Sequence, residues 1–255
     1  MRKNRMCVTW LLGFLTVSTV VSTPVLFWDL ADRTQDGQMT MFNPTAEDGT
    51  TGIPVHAGDV DNDGYQDAIL SAMTGDGRLN NKPSSGEIHV LFGVDTIRGL
   101  VDFADYNGVH ENLLTVWGRA RKDYFGSVTD HEDLDGDGTG DLIVGAMWAD
   151  TLGRVDCGSL YIIWGGPQLR NTFIDVANAS DMSQYEITTI VGREADDKFG
   201  TWICCGDANG DGFHDLLVGA PRANGFANDG QHDQTGEVYL IFGPVARHQH
   251  IDLAN

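Results

Sequence analysis

Three short acidic turns contain the residues of this sequence whose types and spacing could do chemistry. The turn at 133–141 reads DLDGDGTGD, with aspartates at its positions 1, 3, 5 and 9 and a glycine at position 6. Carboxylates held a few ångströms apart repel one another unless a positive charge lies between them. Oxygen ligands at this spacing suit a hard cation, and their number and flexible geometry suit Ca²⁺ better than Mg²⁺. The alternative is a solvated turn, in which Asp and Gly are ordinary residues.

Repetition of the turn favours the cation. Turns with this spacing begin at Asp59, Asp133 and Asp207, so they are evenly spaced along the chain, and Asn209 replaces one carboxylate in the third turn. We call these turns the first, second and third acidic loops. The sequence predicts up to three Ca²⁺ ions, bound by the side chains at positions 1, 3, 5 and 9 and by the backbone carbonyl at position 7. The predicted ligands are Asp59, Asp61, Asp63, Tyr65 and Asp67 in the first loop, Asp133, Asp135, Asp137, Thr139 and Asp141 in the second, and Asp207, Asn209, Asp211, Phe213 and Asp215 in the third.

The residues after each acidic loop are typical of strands. A helix-loop-helix calcium site needs a bidentate Glu at position 12, whereas position 12 here is Leu70, Val144 or Val218. These residues lie in short apolar runs that end in small residues, a pattern that predicts buried strands. Each acidic loop is therefore expected to join two strands.

Three other sequence patterns recur along the chain at about the same interval as the acidic loops. An aspartate after Trp, Val or Ile recurs at 29, 102, 175 and 252; an apolar run that opens at Gly and closes at aromatic-Gly recurs at 86–93, 158–165 and 236–243; and Phe-Gly lies ahead of the acidic loop at 125–126 and 199–200, with Thr51-Gly52 in the first unit. Each unit thus offers three strands and an outer run, such as 113–117 or 187–191. Four short antiparallel strands per repeat predict an all-β fold made of β-propeller blades.

These landmarks resemble a known repeat. Phe199-Gly200, the third acidic loop and Val218-Gly219-Ala220-Pro221 resemble the FG-GAP repeat of integrin alpha-subunit propellers, which is also found in glycosylphosphatidylinositol-specific phospholipase D and in many bacterial secreted proteins. The second unit has Gly145-Ala146-Met147 and the first has Ser71-Ala72-Met73, so the first is the most degenerate. The resemblance implies that the calcium loop joins the first two strands of a blade and that the ion is a structural clamp.

The number of units predicts an open arc. Within a propeller segment at 23–255, the repeats run at about 29–101, 102–174 and 175–251, and a further repeat starts at 252–255. Propellers normally have four to eight blades, and an outer-type strand region at 26–42 precedes the first inner strand. We expect about three blades in an open or partial propeller, whose exposed edges could pair with another chain.

The segment at 1–22 resembles a secretory leader. A basic segment at 1–5 precedes an apolar segment at 7–21 and a small-residue cleavage site at 20–22. The alternative is a single-pass anchor, but its Ser and Thr residues make it shorter and more polar than a membrane span prefers. A secreted or extracellular location is expected, at a cell surface or in a periplasm, with no membrane span after leader cleavage.

Composition and missing motifs limit the function. The formal charge of −21 argues against nucleic acid as a partner, because phosphate binding needs a basic surface. The sequence shows no nucleophile elbow, metalloprotease motif or phosphate loop. The leading hypothesis is a non-catalytic calcium-binding module for a protein or cell-surface ligand; the alternatives are the propeller portion of a secreted hydrolase such as a phospholipase D-like enzyme, and a carbohydrate-binding propeller.

The cysteines are expected to act as small apolar residues. After the leader, only Cys157 and the adjacent pair Cys204 and Cys205 remain. Neighbouring residues of a strand point to opposite faces, and unpaired cysteines are usually buried. The sequence therefore favours buried thiols over a disulfide.

Overall fold

The computed structural model describes residues 39–42, 51–95, 99–102, 112–225 and 234–254. The predicted leader and most of the predicted outer region at 26–42 lie outside the described residues. The described chain is almost entirely β, with one short helix, α1 (Ala179–Gln184), and one 3-10 turn at Pro167–Leu169. None of the described helices has the length and apolar character needed to cross a membrane.

Three antiparallel sheets correspond to the predicted blades, and the all-β propeller prediction is confirmed. The first blade contains β2 (Thr51–Gly58), β3 (Asp67–Ala72), β4 (Glu87–Leu91) and β6 (Leu113–Trp117); the second contains β7 (Phe125–Glu132), β8 (Asp141–Ala146), β9 (Ser159–Ile163) and β11 (Thr188–Val191); the third contains β12 (Trp202–Gly206), β13 (Asp215–Ala220) and β14 (Glu237–Ile241). Among the described residues the third blade has no fourth strand, and β14 pairs only with β13. The arc is therefore open in the described part of the chain.

Each Val-Asp or Ile-Asp landmark forms a strand that pairs in parallel with an earlier strand, and two of the three join the sheet of the preceding blade. The strands are β5 (Gly99–Asp102), β10 (Thr172–Asp175) and β15 (His250–Asp252). β10 pairs in parallel with β6 of the first blade, β15 pairs in parallel with β11 of the second, and β5 pairs in the same way with β1 (Met39–Phe42). The segments that lead to these strands, 165–175 and 243–252, are called the first and second arms. From the sequence alone, the landmark indicates only the repeat interval.

Two apolar layers lie between consecutive blades. The first lies between strands of the first and second blades and contains Ile69, Ile88, Val90, Leu142, Val144 and Ile163. The second lies between the second and third blades and contains Ile143, Leu160, Ile162, Leu216 and Val218. Because successive side chains of a strand point to opposite faces, β8 and β9 contribute to both layers. The second blade is thus buried on both faces, which explains its continuous apolar runs.

The Phe-Gly motif marks a close contact between blades. Phe125 and Phe199 are fully buried, and their backbone nitrogens donate to carbonyls of the preceding blade at 2.9 and 3.0 Å. Gly86 and Gly158 lie beside them with φ of +86° and +80°, and a Cβ there would come within 2.0 and 2.1 Å of the phenylalanine carbonyl oxygens. In the first two blades, the glycine that opens the third strand is therefore required by backbone conformation and by space.

The cysteine prediction is correct for two residues and wrong for one. Cys157 is buried and Cys205 packs against the second apolar layer, whereas Cys204 is exposed, and all three are free thiols. Cys204 and Cys205 do point to opposite faces of β12. Cys204 is exposed because that face of the third blade has no partner sheet in the described structure.

Candidate metal centres

The acidic loops join the first and second strands of each blade, as predicted, and their first aspartate organises the turn. The position 1 carboxylate accepts hydrogen bonds from the backbone nitrogens of positions 5 and 6, at 3.1 and 2.9 Å in the first loop, 3.2 and 2.9 Å in the second, and 3.1 and 3.0 Å in the third. The glycine at position 6 has φ between +87° and +92° in all three loops, a conformation that other residues rarely adopt.

The position 9 aspartate fastens each loop to the third strand of its blade. Asp67, Asp141 and Asp215 are buried. In each residue one carboxylate oxygen accepts from the nitrogen of position 2, at 2.7 to 2.9 Å, and the other accepts from the glycine of aromatic-Gly, at 2.7 to 2.9 Å. This contact explains why an aromatic-Gly pair ends each third strand.

In the first two loops, burial and neighbouring carboxylates raise the pKa of the position 9 aspartate. Burial raises the pKa of Asp67 to about 6 and that of Asp141 to about 7. The backbone donors lower both pKa values, and the aspartates at other loop positions raise them further. Concentrated negative charge of this kind favours a bound cation.

Two loops bring three carboxylates within coordinating distance of one another. Oxygens of Asp59, Asp61 and Asp67 all lie within 4.8 Å of one another, as do oxygens of Asp133, Asp135 and Asp141. The position 5 aspartates, Asp63 and Asp137, fall outside these two clusters.

Two further sets of hydrogen bonds hold side chains of the acidic loops. One lies within the third loop, and the other involves position 7 of every loop. In the third loop, Asn209 accepts from the nitrogen of Asp211 at 2.9 Å and donates its side-chain Nδ2 to the Asp211 carboxylate at 2.8 Å. Tyr65, Thr139 and Phe213, at position 7, donate their backbone nitrogens to the position 5 carboxylates at 2.8 to 2.9 Å.

The chemistry of the first loop fits a hard cation. The Asp61 side chain is 1% exposed, and its Oδ1 is buried with no hydrogen-bond partner. A buried carboxylate oxygen without a donor is costly, and a bound cation would satisfy it. The oxygen-only ligand set is the kind that Ca²⁺ prefers. In each of the first two loops, the three clustered aspartates are the residues that would hold the ion.

An arginine from the following blade contacts each of the first two acidic loops, and the sequence predictions did not include it. Arg170 donates to the carboxylates of Asp61 and Asp63 in the first loop. Arg247 donates to Asp135 and Asp137 in the second, at 2.5 and 2.6 Å. A signal for them exists, because each arginine follows the aromatic residue of aromatic-Gly by six or five positions.

A cleft lies at the opposite end of the blades from the acidic loops. It has a volume of about 530 Å³ and is lined by Arg121, Lys122, Tyr124, Trp148, Asp150 and Asp156. These residues come from the segments between β6 and β7 and between β8 and β9, whereas the second acidic loop enters β8 at its other end. The Lys198 ammonium covers the Trp148 ring at 3.5 Å and pairs with Asp156 at 2.7 Å. Sequence reasoning gave no sign of this cleft.

Comparison with known proteins identifies the repeats. The family model described as FG-GAP repeat matches residues 125–163 and 199–241. The chain is 28% identical over 149 residues to phosphatidylinositol-glycan-specific phospholipase D of Dictyostelium discoideum, which covers 55% of this chain and 15% of that protein. It is 36% identical over 111 residues to the Rattus norvegicus protein of the same name, covering 44% of this chain and 12% of that protein. It is 32% identical over 145 residues to integrin alpha-PS2 of Drosophila melanogaster, covering 53% of this chain and 9% of that protein.

The matched segments coincide with the second and third blades. The first matched segment begins at the Phe-Gly of β7 and ends with β9, and the second begins at Phe199 and ends with β14. The chain spans between 9% and 15% of the length of these relatives. The chain therefore carries FG-GAP repeats, folded as propeller blades, and is similar over part of its length to an integrin alpha subunit and to phosphatidylinositol-glycan-specific phospholipase D.

Proposed function

We propose that this protein is an exported, calcium-binding propeller segment that works as a non-catalytic binding module. The observation that carries the proposal is the buried, unpartnered Oδ1 of Asp61 within a cluster of three carboxylates. Three evenly spaced loops of one design suit a structural ion better than a single catalytic centre. The leader at 1–22 and the location outside the cell belong to the same proposal.

Calcium would act here as a clamp between strands. The position 1 and position 9 aspartates already hold the loop backbone, so an ion at their free lone pairs would join the first and second strands of a blade. A ligand that binds only the folded chain stabilises it by mass action, by about 2.7 kcal/mol for each site at a concentration 100 times Kd. The third loop has one carboxylate fewer, so its affinity is expected to be the weakest.

The ligand surface is proposed to include the cleft opposite the acidic loops. Tyr124 and Trp148 supply aromatic surface there, with their ring centroids 6.3 Å apart. Arg121 and Lys122 supply positive charge beside them. Aromatic and arginine side chains are the usual anchors of protein interfaces, so a protein or cell-surface ligand is the proposed partner.

Similarity to a phospholipase D supports a second candidate, a propeller portion of a secreted hydrolase. In that case the chemistry would depend on residues outside these blades, and phosphodiesterase activity on a lipid substrate would support it. A carbohydrate-binding propeller is the third candidate, which binding to a glycan array would support.

A calcium titration with a thermal melt tests the clamp. The melting temperature is expected to rise on adding Ca²⁺ to chelator-treated protein and to rise much less with Mg²⁺, which demands stricter geometry. Asp133→Asn should reduce the calcium-induced rise. Asp196→Asn is the matched control, because Asp196 is an exposed carboxylate outside the loops that pairs with Lys198 and Arg222. An unchanged melting temperature after chelation would contradict the proposal.

The outer face of the third blade is proposed to bind a second copy of this chain. This face consists of Leu217, Val238, Leu240 and Phe242, which are 38% to 71% exposed. The equivalent residues of the second blade are Ile143, Leu160, Ile162 and Trp164, which are at most 1% exposed because the third blade covers them. A second copy would extend the blade-on-blade packing already used twice, and the edge of β14 that is unpaired among the described strands would lie in the same contact.

A further inference from the structure

The first arm attaches the second blade to the first blade, and the second arm attaches the third blade to the second, each at both ends of the arm. At the start of the arms, Gly166 donates its backbone nitrogen to the Val60 carbonyl at 2.8 Å, and Val245 donates to the Leu134 carbonyl at 2.9 Å. Both acceptors are position 2 of an acidic loop. At the far end, the arm aspartate pairs with a base of the preceding blade. The two pairs are Lys82–Asp175 at 3.0 Å and Arg154–Asp252 at 2.6 Å.

The arm arginine contacts the acidic loop in the same way in both copies. Its Nε donates to Oδ2 of the position 3 aspartate, and its Nη2 donates to Oδ2 of the position 5 aspartate. The guanidinium also lies 5.2 Å from the ring centroid of the preceding blade's aromatic residue, Phe92 for Arg170 and Trp164 for Arg247. The two arginines follow their own aromatic-Gly pairs at different intervals, yet they reach the same atoms. The contact therefore depends on the path of the arm and not on a fixed number of residues after the aromatic-Gly pair.

We propose that Arg170 and Arg247 are internal counter-cations of the acidic loops, so that calcium binding at a loop is coupled to the arm of the next blade. Each of these loops contains four carboxylates, and the guanidinium supplies one positive charge to two of them. In the first loop it binds Oδ2 of Asp61 and leaves Oδ1 of the same carboxylate without a partner. The arginine stabilises the calcium-free loop, and because it repels a second cation it also lowers the affinity for Ca²⁺.

The third loop provides an internal comparison. No arginine reaches it from the described residues, and the Asn209 amide takes the equivalent place by donating to Asp211 at 2.8 Å. An uncharged donor adds no repulsion toward calcium. Removal of either arginine should therefore leave the third site unchanged.

The sign of the coupling separates this role from a purely positioning one. If the arginine served only to hold Asp135 and Asp137 in a ligating geometry, its removal would weaken calcium binding. If it is a counter-cation, its removal destabilises the calcium-free protein and strengthens calcium binding, because the two effects are linked reciprocally.

The test uses Arg247→Gln in the full chain, with Arg154→Gln as the matched control. Arg154 binds the far end of the same arm through Asp252 and does not touch an acidic loop. Thermal melts are recorded in chelator and in Ca²⁺, and calcium binding is measured by isothermal titration calorimetry. For Arg247→Gln we expect a larger calcium-induced rise in melting temperature than in the natural chain, and one site about tenfold tighter. For Arg154→Gln we expect a lower melting temperature in both conditions and an unchanged calcium-induced rise.

The inference rests on the proposed calcium binding, and the two fail in different ways. If the natural chain shows no response to Ca²⁺, the proposed function fails and the coupling fails with it. If the natural chain responds but Arg247→Gln responds equally or less, calcium binding stands and the counter-cation role is wrong. If the Gln variant does not fold, Arg247→Lys replaces it, because lysine keeps the positive charge. A calcium-induced rise in melting temperature equal to that of the natural chain then supports the proposal. A larger rise overturns it.

Discussion

At the scale of single residues, the aspartates of each acidic loop have two different functions. Those at positions 1 and 9 accept backbone hydrogen bonds that define the turn and join it to the third strand. In the first two loops, those at positions 3 and 5 also accept from an arginine of the following blade. The same residue type at four positions therefore serves both the local fold and the contact between blades, and calcium would add a third function.

A buried histidine makes stability depend on pH. His89 lies in β4 with no exposed surface, its Nδ1 is 3.0 Å from Thr115 Oγ1, and Glu87 Oε2 lies 3.6 Å from its Nε2. Burial lowers the pKa of His89 to about 3, whereas an unfolded histidine titrates near 6.5. Below pH 6.5 the unfolded chain binds the proton more readily, so the stabilising contribution is complete above pH 6.5 and is lost as the pH falls toward 3.

Denaturation by urea at pH 7 and pH 5, in chelator, measures this effect. Between those values the natural chain should lose about 2 kcal/mol more stability than His89→Gln, which cannot take up the proton. Thr115→Val is the control, since it removes the hydrogen bond and keeps the titrating ring, and it should retain the pH dependence of the natural chain. Equal losses in the natural chain and His89→Gln would show that His89 does not carry this pH dependence.

At the scale of elements, the contact between blades depends on a glycine that has no room for a side chain. Gly158 precedes β9 with φ of +80°, and a Cβ there would meet the Phe199 carbonyl oxygen at 2.1 Å. Gly153, in the loop before β9, has φ of +79° and nothing within 4 Å of the equivalent position. The two glycines share a backbone conformation, but only Gly153 has room for a Cβ.

Alanine substitution separates the cost of an unfavourable backbone conformation from the cost of a steric clash. Gly153→Ala should cost only the conformational penalty, about 1 to 2 kcal/mol. Gly158→Ala should cost at least about 3 kcal/mol, because the second and third blades must also move apart. Urea denaturation midpoints compare them, and equal losses would mean that the close approach is not essential.

At the scale of the whole molecule, the exposed apolar face of the third blade predicts self-association. Contiguous exposed apolar surface usually marks an interface, and Val238 is 71% exposed on β14. Light scattering in Ca²⁺ should give a dimer mass that falls to that of a monomer on dilution. The double variant Val238→Lys with Leu240→Lys should be monomeric throughout. Leu79→Lys is the control, because Leu79 is 75% exposed outside this face, and a monomeric natural chain at all concentrations would exclude the dimer.

The sequence by itself determined the acidic loops, the three inner strands of each blade, the outer runs and the number of blades. These features depend on local patterns, such as the aspartate spacing of the loops and the apolar runs that end in small residues, and the patterns recur at a regular interval along the chain. The observed strand β6 (Leu113–Trp117) coincides with the predicted outer run at 113–117. Repetition made each local signal more reliable, because a chance turn seldom recurs in register.

The tertiary structure alone decided how consecutive blades are joined. Arg170 and Asp61 are 109 residues apart in sequence, and Arg247 and Asp135 are 112 apart, so neither contact follows from local spacing. The same holds for the arms, whose strands leave their own repeat and pair with the blade before it. An isolated repeat carries no information about which edge its connection will reach, because that choice depends on the packing of two sheets and on the burial it achieves. For the same reason the sequence showed where carboxylates are concentrated, and only the folded chain showed which guanidinium lies against them.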